Sequence, residues 1–106
     1  MNIRDLYNEF TADAAAAELA YYGKFLTLEG ISIRTGESRY GTPVVEASDV
    51  PGGLQLATFV LPFDHRKEES FRLVRSVPLG VPVTVRGECR VFSTVLVIKQ
   101  CELLTP

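Results

Sequence analysis

Histidine is nearly absent: the 106 residues hold one, His65, at the head of a charged segment beside Arg66 and Lys67. With no second imidazole, no Ser/His/Asp or Cys/His arrangement and no metal-ligand spacing around it, His65 reads as a solvated residue, and catalysis is not expected. Cysteine is scarce too. Cys89 and Cys101 lie twelve apart, without a CxxC or a neighbouring histidine, so neither a zinc site nor any other metal or cofactor is expected. No apolar run approaches the roughly 18 to 20 residues of a membrane helix. The start, Met1-Asn2-Ile3-Arg4-Asp5, lacks the basic region and apolar stretch of a signal peptide, so the chain is expected to be cytoplasmic unless a leader has been trimmed. A surplus of positive charge is also missing. Eleven Lys and Arg against thirteen acids, a net charge of −2, argue against a protein that grips duplex nucleic acid by bulk electrostatics.

What is present is the composition of one globular domain, 46% hydrophobic and 23% charged, and a single domain over residues 1–106 is expected. Charge is unevenly placed. Residues 1–64 carry four bases and nine acids, net −5, whereas residues 65–106 carry seven bases and four acids, net +3.

Residues 5–21 predict a helix, with Asp5 as its cap, alanines at 14–17, and Leu6, Phe10, Ala14, Ala17 and Tyr21 at spacings of three and four; Gly23 ends it. From Lys24 the period becomes alternating. Residues 25–33 predict a strand with Gly30 in its middle, where the apolar parity switches from Leu26 and Leu28 to Ile31 and Ile33 as a bulge would require. A polar loop at 34–41 precedes a strand from Pro43 to Ser48, a turn at 51–53 and a third strand from Leu54 to Leu61. Phe71, Val74 and Val77 place a short helix at about 65–76, ended by Pro78 and Gly80. Strands at 81–89, bent at Gly87, and at 94–103 complete the chain.

Three strands, a helix and two strands, with glycine bends on the first and fourth strands, describe a mainly β protein with two helices: a five-stranded OB-fold barrel over about residues 24–104, preceded by an N-terminal helix. An open α+β sheet with the same elements is the alternative. The two cysteines are expected to be buried small hydrophobes. With the turn near 92–93, Cys89 would face a residue near 96 and Cys101 one near 84, so a bridge between them would need a shifted turn or a bulge.

The stretches Ala16 through Tyr22-Gly23-Lys24, Leu28-Glu29-Gly30-Ile31, Leu79-Gly80-Val81-Pro82-Val83-Thr84-Val85-Arg86-Gly87-Glu88-Cys89 and Lys99-Gln100-Cys101-Glu102-Leu103 resemble the tRNA_anti-like family. The resemblance covers about residues 8–104, and its motifs form the fold and carry no chemistry. It implies an OB fold and, by likeness to anticodon-binding domains, nucleic-acid binding. Many members resemble exported or lipid-anchored proteins, from which this sequence departs in showing no leader.

An OB barrel binds oligonucleotides on its second and third strands, between the loop joining the first two strands and the loop joining the last two. Stacking rings and cations are the required parts. Arg34, Arg39 and Tyr40 fall in the first loop, Arg90 and Phe92 at the second, and Phe59 and Lys99 on strands, which makes these seven the candidate site for single-stranded nucleic acid. Glu46 and Asp49 would repel phosphate there. The other reading is a protein-interaction or self-association module, which the acidic balance and the Ala-rich segment 12–20 favour. Glu68 and Glu69 read as a solvated helix surface, and the cations Arg66, Lys67, Arg72 and Arg75 of the same helix read as facing water, with an acidic partner as the alternative.

Overall fold

Asp13 divides the expected N-terminal helix in two. In the computed structural model, which describes residues 1–104, α1 spans Ile3–Ala12 and α2 spans Ala14–Tyr21. The last two residues of the expected domain lie outside the described residues. Asp13 has extended dihedrals, φ −157° and ψ 92°, and its carboxylate accepts from the Ala16 amide at 3.1 Å, which caps α2. Aspartate satisfies a helix start better than it tolerates a helix interior, and that local preference overrides the alanine run on its far side. Asn2, rather than the expected Asp5, caps α1, accepting from the Arg4 amide at 2.7 Å. Gly23 adopts φ +78° and ends the pair as anticipated.

The five strands are β1 (Phe25–Glu37), β2 (Pro43–Ser48), β3 (Ala57–Val60), β4 (Pro82–Phe92) and β5 (Leu96–Leu103), with α3 (Lys67–Arg75) between β3 and β4. They close into a barrel in the order β1-β2-β3-β5-β4. Neighbours are antiparallel except β3 and β5, whose parallel pairing from Ala57–Leu96 to Phe59–Ile98 closes the ring. This is the OB arrangement, with three helices instead of two. α1 buries Ile3, Leu6 and Phe10, α3 buries Val74, and the barrel interior is filled by Leu28, Val45, Phe59, Val85 and Ile98.

The strand bends are not all where the apolar pattern put them. Leu28, Gly30 and Ser32 keep one buried parity through β1, and the irregularity comes later, between Ser32 and Arg34 against β2. Gly30 serves close packing: a Cβ there would stand 2.8 Å from Ile3 Cδ1, so its absence lets α1 lie on the strand. The second bend does involve Gly87. Between the pairs Arg86–Glu102 and Glu88–Lys99 the β5 strand has one residue more than β4, and Gln100 takes φ +54° in that bulge. β1 runs four residues past its expected end, which moves Arg34 from loop to strand, and β4 extends to Phe92, so that the β4–β5 turn is 93–95.

Both cysteines are free and buried. The extended β4 sets Cys89 opposite Ile98, and Cys101 donates its S–H to the Ile98 carbonyl at 3.2 Å. Burial pushes the Cys89 thiol up and the Cys101 thiol up to about 12, as an inert core thiol requires.

Candidate functional site

The outer surface of β2 and β3 carries no aromatic ring. Phe59 is 0% exposed and points into the barrel, level with Val45 on β2 and Ile98 on β5, so it is a core residue and not a stacking platform. Val44 and Val60, paired on the other face, are buried too, and only Glu46 and Thr58 are partly open. Arg34 is also not free for phosphate. The β1–β2 register puts it opposite Glu46, to which it donates at 2.6 Å, while a second guanidinium nitrogen donates to the Glu37 carbonyl at 3.0 Å. Its role is to cancel an acid on the expected binding face. Asp49 is cancelled similarly by Arg4 of α1 at 2.9 Å, and that guanidinium holds the Asp49 carboxyl below the usual carboxylate range. The two acids expected to repel phosphate therefore each have a cation beside them.

The β1–β2 loop does bring Arg39 and Tyr40 together. Ser38 organises residues 38–42: its hydroxyl accepts from the amides of Tyr40 and Thr42, each at 3.2 Å, and lies 2.6 Å from the Thr42 hydroxyl. Its backbone also pairs with Thr42 and Gly41. Gly41, at φ +78°, supplies the left-handed step that closes the loop. The result presents the Tyr40 ring at 78% exposure with the Arg39 guanidinium 5.1 Å from its centroid, donating to the phenol oxygen at 3.1 Å. Ring and cation are held outward by the loop's own hydrogen bonds.

The other loop contributes less than expected. Phe92 is half-buried and meets Tyr7 and Phe10 edge-to-face at 5.5 and 5.3 Å, so it anchors α1 to the barrel. Arg90 lies on β4 rather than in the turn, 3.2 Å from Glu88 and 5.5 Å from the Tyr22 ring centroid. Lys99 is exposed on β5, across from Glu88. These two belong to the outer face of β4 and β5, beyond the start of β1, whereas Arg39 and Tyr40 follow its far end. The same β4 face holds Arg86 over the ring of Phe25 at 5.0 Å. Tyr22, Phe25 and Arg86 are additions to the expected set. A signal for Phe25 was available, because the alternation that turns Leu26 and Leu28 inward turns Phe25 outward.

His65 is exposed, 3.5 Å from Asp64, whose carboxyl Arg66 holds below its usual range. Among the described residues no group of three or more His, Cys, Asp or Glu side chains is gathered to hold a metal, and no helix is long and apolar enough to cross a membrane.

The tRNA_anti-like family model matches residues 1–103. No curated protein matches the chain. Among solved structures it is similar to the crystal structure of a "putative nucleic acid-binding lipoprotein" from Klebsiella pneumoniae subsp. pneumoniae, at 18% identity over 99% of this chain and 92% of the other, with a TM-score of 0.71. It is also similar to two OBodies bound to hen egg-white lysozyme. One is 18% identical over 82% of this chain and 84% of its own, with a TM-score of 0.56. The other is 16% identical over 81% and 86%, with a TM-score of 0.58. At these identities the likeness shows the fold.

Proposed function

The chain belongs to the tRNA_anti-like family, and from that premise we propose that it is a non-enzymatic OB module that binds single-stranded nucleic acid, with the β1–β2 loop as its leading contact. The carrying observation is the self-braced loop that holds the Tyr40 ring 78% exposed under the Arg39 guanidinium. An exposed ring stacks any base, and an adjacent cation meets the phosphate, which suits sequence-tolerant binding of a single strand. The acids on β2 and beside it oppose the reading less than their number suggests, because Arg34 and Arg4 offset them. The description of the Klebsiella neighbour points the same way.

Fluorescence anisotropy with labelled 12-nucleotide oligouridylate and oligothymidylate, at about 50 and 200 mM salt, tests this. Binding that weakens with salt is expected, and Tyr40→Ala should reduce affinity about 5- to 150-fold, the range of about 1 to 3 kcal/mol per stacked base. No binding at the lower salt overturns the reading, and an unchanged affinity in Tyr40→Ala overturns the loop as its leading contact.

A second reading rests on α2. Seven of its eight residues are Ala, Leu or Tyr, yet only Ala17 is buried, and Leu19 is 88% exposed. An apolar helix left uncovered favours self-association or protein docking through that face. A wild-type chain that sediments as a monomer at high concentration and retains no partner removes this alternative.

A further inference from the structure

The outer face of β1, β4 and β5 gathers the parts that the β2–β3 face lacks. The register lines Phe25, Glu88 and Lys99 across these strands in one row and Thr27, Arg86 and Glu102 in the next. Phe25 and Tyr22 are 49% and 45% exposed, and each has a guanidinium over its ring, Arg86 and Arg90 respectively. Alternation on β4 points Arg86 and Arg90 to the same side, about 13 Å apart at the usual strand rise. Arg90 is bridged to Glu88, but neither Arg86 nor Lys99 has a salt bridge among the described residues. β4 and β5 carry three cations, Arg86, Arg90 and Lys99, against the two acids Glu88 and Glu102, a net charge of +1 on these strands.

A cleft of about 1010 Å³ opens beside this face, between α3 and the barrel. Phe25, Arg86 and Gln100 line it with the apolar Val77 and Leu103, and the acids Glu69 and Glu102 stand on its wall beside Arg66 and Arg86. Gln100 is the one described non-glycine residue with positive φ, so the β5 bulge holds it in a conformation that side-chain-bearing residues rarely adopt. Such bulges re-aim side chains beside binding sites, and a glutamine amide can both donate to and accept from a base edge.

We infer that this β1–β4–β5 face is a nucleic-acid surface: a single strand crosses it with bases against Phe25 and Tyr22, phosphates on Arg86, Arg90 and Lys99, and one base in the cleft beside Gln100. The inference rests on the single-strand reading above but places the strand on another side of the barrel from the one where OB domains ordinarily take it. Exposed rings paired with guanidinium planes suit unstacked bases, whereas an acidic peptide would need the cations alone.

The same anisotropy titration with oligouridylate separates this inference from the loop reading. Phe25→Ala should weaken binding about 5- to 150-fold. Arg86→Gln and Lys99→Gln should each lower the salt slope by about 0.7, the value for one phosphate on a single strand. Photocrosslinking of a 4-thiouridine oligomer to the unmodified protein gives a second measurement that no folding defect affects, with adducts expected within residues 22–25 and 86–100. Wild-type binding that Tyr40→Ala abolishes and Phe25→Ala and Arg86→Gln leave intact, with adducts confined to 38–42, overturns this inference and spares the loop. Loss in Phe25→Ala with Tyr40→Ala unaffected supports this face and overturns the loop. Absence of wild-type binding overturns both. A polyglutamate peptide that binds as tightly as the oligomer, and is lost in Arg86→Gln but not in Phe25→Ala, also overturns it.

Discussion

Phe59→Ala should lower the stability of the barrel by about 3 to 5 kcal/mol, the cost of emptying a fully buried aromatic site. The ring is 0% exposed at the parallel β3–β5 seam that closes the sheet, with Val45 on one side strand and Ile98 on the other. Strands fixed by hydrogen bonds on both sides leave little room for collapse into the space. For a domain of this length, about 4 to 8 °C per kcal/mol converts that loss into a fall in Tm of about 12 to 40 °C, measurable by far-UV circular dichroism. Domain stabilities of about 5 to 15 kcal/mol leave a folded fraction at low temperature. That fraction should bind oligouridylate as the wild type does. A Tm within a few degrees of wild type together with lost affinity would return Phe59 to the surface and to base stacking.

Gly87→Ala is the second large effect. A Cβ at this position would stand 2.6 Å from Cys101 Sγ, 2.7 Å from Ile98 Cγ2 and 3.0 Å from the Lys99 carbonyl oxygen. The last is backbone, held in the bulge around Gln100, so relief requires the strand itself to shift. Overpacking of this kind costs about 1 to 3 kcal/mol, read as a lowered urea midpoint. Gly30→Ala makes an instructive comparison. Its approaches are looser, 2.8 Å to the end of the Ile3 side chain, 3.2 Å to Ala47 Cβ and 3.3 Å to the Ser48 carbonyl oxygen, and the midpoint should fall less. The double variant Gly87→Ala/Cys101→Ala should recover part of the loss, because the sulfur is the nearest obstacle and coupled neighbours are non-additive by about 0.5 to 3 kcal/mol. Equal midpoints for Gly87→Ala and wild type would mean that the β4–β5 bulge adjusts freely, and Gln100 would then hold no fixed place beside the cleft.

The two cases mark how far residues could be read in order along the chain. Gly87 is legible as a special position because a glycine interrupts an alternating run, Val83, Val85, Gly87, Cys89, and only a bend or a close approach explains it. Gly30 looked like the same signal, yet the parity never changed there; a glycine has no side chain to report which face it is on. Phe59 sits in a run, Leu56 to Leu61, in which Leu56 and Val60 on one parity and Ala57 and Leu61 on the other leave inside and outside hard to tell apart. Phe92 follows a strand that continued past its expected end, and its ring went to Tyr7 and Phe10 of a helix more than eighty residues earlier.

Residues whose roles come from neighbours within a few positions were therefore determined by the sequence itself: the order of the strands and α3, the helix stop at Gly23 and the Arg39–Tyr40 loop, whose shape Ser38, Gly41 and Thr42 set locally. Tertiary structure alone decided which charges are spent and which rings are open. Arg34 meets Glu46, Arg4 meets Asp49, and Arg86 meets Phe25 only because strand register and helix docking join positions from 12 to 61 residues apart. A shift of one residue in any pairing would turn those side chains to the opposite face, which is why exposure and charge balance, the two quantities that define a binding surface, are properties of the closed barrel.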